Sequence, residues 1–120
     1  MHLIARDDVQ PFVGDDGAIV RELASPRNSR LTRHSLAEIR HPPGTASQEH
    51  FHTEAEEVYY VLSGHGGIRV DGVTRTLKPG DVVVIAPGER HKVWSEGEAD
   101  LVLLVTCVPA YSVEEVAFTE

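Results

Sequence analysis

Short segments of alternating or wholly apolar residues, separated by turn residues, run along most of this chain. Residues 35–40 follow the period of two that a β-strand requires, and a Pro-Pro-Gly turn at 42–44 ends them. Residues 58–62 are rich in β-branched and aromatic side chains, and a glycine-rich bend follows. The apolar runs Val82–Ile85 and Leu101–Val108 are interpreted as two further strands, the first of them buried.

Two turn sequences strengthen this interpretation. Asp71-Gly72 lies between short apolar segments and suits a type I′ hairpin turn, while Lys-Pro-Gly-Asp at 78–81 suits a type II turn. Helical periodicity is nearly absent, although residues 112–116 could form one turn of helix with Ser112 as its N-cap. The pattern predicts an all-β sandwich or barrel.

The length of 120 residues corresponds to one domain. No repeat, low-complexity tract or linker divides the chain. We therefore expect a single domain over residues 1–120, with N-terminal strands and a loop in 1–30 and the core barrel in 31–110.

Charge and composition narrow the partners and the location. A formal net charge of −8 disfavours nucleic acid and anionic membranes, because both carry negative charge themselves. Cys107 is the only cysteine, so no intramolecular disulfide can form, and its apolar strand predicts a small core residue. The first residues lack the apolar stretch of a signal peptide, and no apolar run reaches the roughly 20 residues of a membrane span. A cytoplasmic protein is expected.

The chemistry of the chain is concentrated in three histidines and one glutamate. His50 and His52 are two residues apart, so both rings project from the same face of a strand. Glu57 stands at the entrance to the strand at 58–62, and His91 follows the strand Val82–Ile85. Three imidazoles and a carboxylate suit one divalent ion, and iron, manganese, nickel, copper and zinc all remain open.

Each part of this pattern has a simpler reading. A pair of histidines two apart can arise by chance among seven histidines, and Glu54, Glu56 and Glu57 together resemble a solvated acidic corner. The spacing of all four residues together favours a metal site over these simpler explanations.

The chain resembles the cupin superfamily. The first cupin motif, G(X)5HXH(X)3,4E(X)6G, is matched from Gly44 through the two histidines to Gly64, and its last interval selects Glu57 rather than Glu56. The second motif, G(X)5PXG(X)2H(X)3N, begins at Gly80 and reaches His91 in register. It departs from the family where Ala86 replaces proline and Ser95 replaces asparagine. Neither departure removes a metal ligand.

The resemblance implies a double-stranded β-helix, or jelly-roll, barrel with a metal ion near its mouth, often in homodimers. The segments around the motifs are most similar to small single-domain bacterial cupins. That group is variously assigned to mannose-6-phosphate-isomerase-like proteins, dioxygenases and polyketide cyclases.

Strand alternation also predicts which other side chains point inward. From the histidine pair it selects Gln48, and from the glutamate it selects Tyr59 and Val61. Gln48 and Tyr59 are candidate catalytic residues beside the metal ion, although a packing role explains each equally well. His34, His41 and His65 lie at strand ends or glycine turns, so we expect them at the surface.

Three functions fit these observations. The leading hypothesis is a metal-dependent enzyme acting on a small oxygen-rich substrate, as a dioxygenase or as an isomerase or cyclase with a Lewis-acid metal. A non-catalytic cupin that binds a small anion or sugar acid is the alternative. A structural or sensory protein ranks below both, because no partner helix accompanies the barrel.

Overall fold

The chain forms eleven strands, which cover about half of its residues. A computed structural model describes all 120 residues. The strands are β1 (Phe12–Val13), β2 (Ile19–Ala24), β3 (Ser35–His41), β4 (His50–His52), β5 (Glu56–Ser63), β6 (His65–Val70), β7 (Val73–Leu77), β8 (Val82–Ile85), β9 (His91–Glu96), β10 (Leu101–Val108) and β11 (Val116–Phe118). Two 3-10 helices cover Arg6–Asp8 and Val113–Glu115, and no helix is long and apolar enough to span a membrane. The all-β prediction is confirmed.

Two antiparallel sheets make up the jelly-roll barrel. The six-stranded sheet has the order β1-β2-β3-β10-β5-β8, and the five-stranded sheet has the order β11-β4-β9-β6-β7. Non-consecutive strands are neighbours in both sheets, so the chain crosses between the sheets repeatedly. This crossing brings β4, β5 and β9 together around the barrel interior, although they are far apart in sequence.

The predicted hairpin turn is confirmed between β6 and β7. Asp71 and Gly72 both have positive φ, at 45° and 80°, as a type I′ turn requires. Val70 and Val73 pair directly across it, so the turn sets the register of this hairpin.

The core lies between the sheets and consists of the inward side chains of alternating strand positions. Tyr59 and Val61 on β5 are buried, as the alternation predicts, and so is Val93 on β9. The whole cluster comprises Ala55, Tyr59, Val61, Ile68, Leu77, Ile85, Val93, Leu101, Leu103, Val105 and Cys107. Because alternate residues face inward, the same periodicity directs the candidate metal ligands into the barrel.

The prediction of a buried strand at Val82–Ile85 is wrong in one respect. The strand forms, but β8 is the edge of its sheet, and its alternate residues Val82 and Val84 are 58% and 72% exposed. An apolar run does not show which neighbours a strand acquires, so burial on both faces does not follow from it.

The N-terminal segment covers part of the outer face of the six-stranded sheet. Arg6 donates two hydrogen bonds to the carboxylate of Glu38 on β3, at 2.9 and 2.8 Å. The hydrogen bonds from this guanidinium outweigh the effect of burial and hold the pKa of the Glu38 carboxyl below its usual value. The opposite half of the same face, on β5 and β8, receives no such cover.

Candidate metal centre

Four side chains from three strands converge in the barrel interior. His50 and His52 lie on β4, Glu57 lies on β5, and His91 begins β9. His50 pairs directly with His91 across the β4–β9 ladder, so the register of the sheet brings those two rings together. One ligand atom from each of the four residues lies within 4.8 Å of the others. The spacing of the sequence motif is thus realised as one cluster.

Backbone carbonyls orient two of the imidazoles. Nδ1 of His50 lies 2.7 Å from the carbonyl of Gln48, and Nδ1 of His91 lies 2.9 Å from the carbonyl of Glu89. A carbonyl only accepts, so both Nδ1 atoms carry the proton and donate. Each Nε2 is then left with a free lone pair, which is the form that binds a metal ion.

Several polar atoms at the centre of the cluster are buried and have no hydrogen-bond partner. They include Nε2 of His52, Nε2 of His91 and Oε1 of Glu57. The last two atoms are 2.9 Å apart without hydrogen-bond geometry. Orphaned buried polar atoms are rare, and convergent unpaired nitrogen and oxygen atoms suit a divalent cation. The residues present therefore fit a metal ion.

The electrostatics of the cluster favour the ligand forms of Glu57 and His50. Burial opposes ionisation of Glu57, but His52 and His91 outweigh it and lower the pKa of its carboxyl below the usual range. Burial also lowers the pKa of His50. Burial acts against the charged form of His52, yet Glu57 raises its pKa above the ordinary value. A carboxylate among imidazoles supplies negative charge that a divalent cation requires.

Cys107 takes part in this cluster, which the sequence did not indicate. Its side chain is buried, as expected for a small core residue, but Sγ lies 3.2 Å from Oε2 of Glu57 and donates to it. Burial, then the neighbouring carboxylate, raises the pKa of the thiol, so it remains protonated and able to donate. Cys107 and Glu57 are paired across β10 and β5, a register that only the assembled sheet defines.

Glu115 is a second residue that sequence reasoning missed. Its Oε1 accepts hydrogen bonds from the backbone N–H groups of Glu54 and Ala55, at 2.9 and 2.5 Å. It thereby holds the connection between His52 and Glu57. The predicted C-terminal turn is present as the 3-10 helix, but the hydroxyl of Ser112 contacts the side chain of Glu114 and does not cap the backbone.

A cavity of about 650 Å³ opens onto the cluster. His50, His52 and Glu57 line it together with Tyr59 and Gln48. Tyr59 is 4% exposed, and its ring centroid lies 6.0 Å from that of His91. The Gln48 side chain is exposed, and its backbone carbonyl is what contacts a candidate ligand. A catalytic role for Gln48 or Tyr59 stays a prediction.

One of the three histidines expected at the surface is deeply buried. His34 and His65 are exposed, but His41 is only 2% exposed, and it lines the cavity. The prediction for His41 is wrong because residue 41 ends β3 with inward parity. Alternation over residues 35–40 places residue 41 on the same face as Ile39, but only the assembled sheet shows that this face lines the cavity.

Comparison with known proteins agrees with the fold. The family model described as "Cupin domain" matches residues 37–107. Uncharacterized protein MJ1618 of Methanocaldococcus jannaschii is 35% identical over 114 residues, covering 95% of this chain and 91% of the relative. The oxalate-binding protein of Thermotoga maritima is 33% identical over 73 residues, covering 61% of this chain and 60% of that protein.

A solved structure extends the agreement along the whole chain. The polyketide cyclase RemF of Streptomyces resistomycificus superposes with a TM-score of 0.85 and 25% identity, covering 100% of this chain and 86% of RemF. The family model spans more than half of the residues and both segments that contribute candidate ligands. The chain belongs to the cupin domain family.

Proposed function

We propose that this cupin is an enzyme that holds one divalent metal ion through His50, His52, Glu57 and His91. The observation that carries the proposal is the set of unpaired, convergent ligand atoms facing a cavity of about 650 Å³. An octahedral ion held by four protein ligands keeps two positions for oxygen atoms of a substrate. A cavity of this volume has the size of a site for a small organic molecule.

The activity that we favour is isomerisation or cyclisation of an oxygen-rich substrate without a change of redox state. The bound ion would act as a Lewis acid that stabilises negative charge developing on a substrate oxygen. The full-length likeness to a polyketide cyclase supports this choice over the dioxygenase alternative. Zinc at the site would exclude the dioxygenase, because zinc has no accessible redox chemistry.

The protein residues around the site have distinct tasks in this proposal. Tyr59 is buried, and burial, together with the negative charge of Glu57, keeps the pKa of its hydroxyl well above the ordinary value. Tyr59 would therefore donate a hydrogen bond to a substrate oxygen and not serve as a base. Gln48 would contact the substrate at the exposed rim of the cavity. The apolar walls would exclude water from the reacting atoms.

Metal analysis of protein purified without a metal-affinity tag tests the proposal. We expect about one divalent ion per chain, with turnover of cyclisable polyketone or phenolic substrates that a chelator abolishes and the metal restores. Oxygen electrode measurements on the same substrates should show no consumption. Protein that contains no metal, and whose ligand affinity is unaffected by chelator, would contradict the proposal.

A second candidate is supported by the oxalate-binding protein of Thermotoga maritima. In that case the same site would hold a small anion without transforming it. Calorimetric titration with oxalate, followed by NMR of the recovered ligand, separates the two functions. Metal-dependent binding with unchanged oxalate, and no turnover of any larger substrate, would favour the binding protein.

Cys107 should support the metal ion indirectly, by orienting Glu57. Replacing Cys107 with Val keeps an apolar side chain of similar size but removes the donor to Oε2, whereas Ser keeps a donor. We expect Cys107→Val to weaken metal affinity about tenfold and Cys107→Ser to weaken it less, as found for groups that orient metal ligands. Competition with a fluorescent chelator measures both affinities. Equal affinity in wild type and in both variants would assign Cys107 to packing alone.

We also propose that the chain forms a homodimer through the uncovered half of the six-stranded sheet. Tyr60 on β5 pairs with Val82 on β8 and with Leu104 on β10, so the three side chains share the outer face, and Val84 extends it. The centre of this face is apolar and exposed, with Glu56 at one end of β5, while the N-terminal segment covers the other half. An apolar patch is complementary to its own copy across a two-fold axis, and contiguous exposed apolar surface marks protein interfaces.

A charge on this face should separate the subunits. We expect Val84→Lys to weaken dimerisation about 30-fold or more, because the interface would remove the lysine charge from water and place it among apolar side chains. Val73→Lys is the matched control, since Val73 is exposed on the edge of the other sheet. Sedimentation velocity measures the change. Identical sedimentation of the two variants would place the interface elsewhere.

A further inference from the structure

The cavity extends along β3 from the metal-ligand level to the far end of that strand. Ser35 and Glu57 are both paired with Cys107, so Ser35 marks the level of the metal ligands. His41 is six residues further along and also lines the cavity. At about 3.3 Å per residue, their Cα atoms are about 20 Å apart along the strand. The cavity is therefore elongated and has two chemically different ends.

The wall between these ends is apolar. It is formed by inward residues of both sheets: Ala37, Ile39, Val93, Leu103 and Val105. A short acid such as oxalate, bound at the metal ligands, would leave this stretch empty. A mainly apolar molecule with polar groups at its two ends would fill it.

His41 is the polar residue at the far end. It is 2% exposed, and its Nδ1 has no hydrogen-bond partner in the protein. Burial lowers the pKa of the imidazole, against the opposing charge of Asp16, so the ring is neutral at pH 7. A neutral imidazole offers one donor and one acceptor nitrogen. A buried side chain of this kind requires an explanation that packing does not supply.

The negative charge of nearby Asp16 limits which chemical groups can bind beside His41. Asp16, in the turn between β1 and β2, also lines the cavity, and its Oδ1 accepts a hydrogen bond from the backbone of Ala18 at 2.9 Å. Its carboxylate repels a second anion but accepts hydrogen bonds from a hydroxyl group. The far end therefore suits an uncharged hydroxyl and not a carboxylate or phosphate.

We infer that His41 binds a hydroxyl group at the distal end of the substrate, and that the substrate class is elongated, mainly apolar molecules with a metal-binding oxygen pair at the opposite end. The inference rests on the proposed function, because the metal ion anchors the first end. His41 is then a specificity residue, remote from the reacting atoms. Its role is to select long hydroxylated molecules over short acids.

Two matched hydroxamates test the inference with the metal-loaded protein. 4-Phenylbenzohydroxamic acid has a chelating group, an apolar spacer and no distal polar group, and its 4′-hydroxy derivative adds only that group. We expect the hydroxy derivative to bind wild type about tenfold more tightly. In His41→Phe the two affinities should be equal, while the parent compound keeps its wild-type affinity. Benzohydroxamic acid and its 4-hydroxy derivative, which are too short to span the cavity, should show no such difference in either protein.

Controls distinguish the possible failures. Thermal melting and metal content should be the same for His41→Phe and wild type. In case the variant does not fold, ¹⁵N NMR of wild-type His41 provides an independent readout, since only the hydroxy derivative should shift its ring nitrogens. Metal-dependent binding of both long compounds with equal affinity, or no shift at His41, overturns the inference and leaves the proposed function intact. Binding of neither compound in a metal-dependent manner overturns both.

Discussion

Replacing His91 with Ala is expected to weaken metal binding at least 100-fold and to leave purified protein with little bound ion. His91 is fully buried, and its Nε2 is one of the orphaned atoms at the centre of the cluster. Alanine removes that ligand atom and leaves space behind it, so neighbouring side chains cannot replace the bond. Loss of a residue that merely orients a ligand costs about 10–100-fold in affinity, and loss of the ligand itself should exceed that. Elemental analysis and chelator competition measure the effect.

The adjacent glutamates provide a control within the same segment. Glu57 is buried in the cluster, whereas Glu56 begins β5 with opposite parity and is exposed. We expect Glu57→Gln to reduce affinity nearly as much as the loss of His91, and Glu56→Gln to leave it unchanged. Loss of affinity in Glu56→Gln and not in Glu57→Gln would assign the carboxylate ligand to Glu56. Unchanged metal content in His91→Ala would show that His91 is not a metal ligand.

Gly64→Ala is expected to destabilise the fold by about 3 kcal/mol or more, combining backbone strain with a steric clash. Gly64 has φ of +81°, and a Cβ at this position would lie 2.1 Å from the carbonyl oxygen of Asp100. No side-chain rearrangement relieves a clash with backbone, so the β5–β6 turn would have to move away from the start of β10. Chemical denaturation measures the loss, which could also appear as insoluble protein.

Gly44, the first glycine of the same motif, separates the two causes. Its φ is +80°, but a Cβ there would meet no atom within 4 Å. We expect Gly44→Ala to cost only about 1–2 kcal/mol from the left-handed conformation. Equal destabilisation by the two substitutions would show that backbone strain alone accounts for Gly64. In that case the close approach to Asp100 would be relieved by a small shift.

Part of the candidate site was predictable because it depends on local geometry. Side chains two apart on a strand share a face, which places His50 and His52 together without knowledge of the sheet. The Asp71-Gly72 turn was predictable for a similar reason, since positive φ at two successive residues restricts the choice of amino acids. The interval from Glu57 to Gly64 selected one of three glutamates through the resemblance to known motifs. All of these features depend on residues close in sequence.

Other features depend on contacts between distant parts of the chain, and alternation alone does not reveal them. Cys107 meets Glu57 through a pairing of residues 50 positions apart, and Leu101 pairs with His41 at the last residue of β3. Val84 is exposed because it lies on the outer face of the sheet, away from the barrel interior, as Tyr60 does on β5. Local sequence determines which side chains of a strand share a face. Strand order determines whether that face meets the core, the cavity or solvent, and that order is settled by long-range packing.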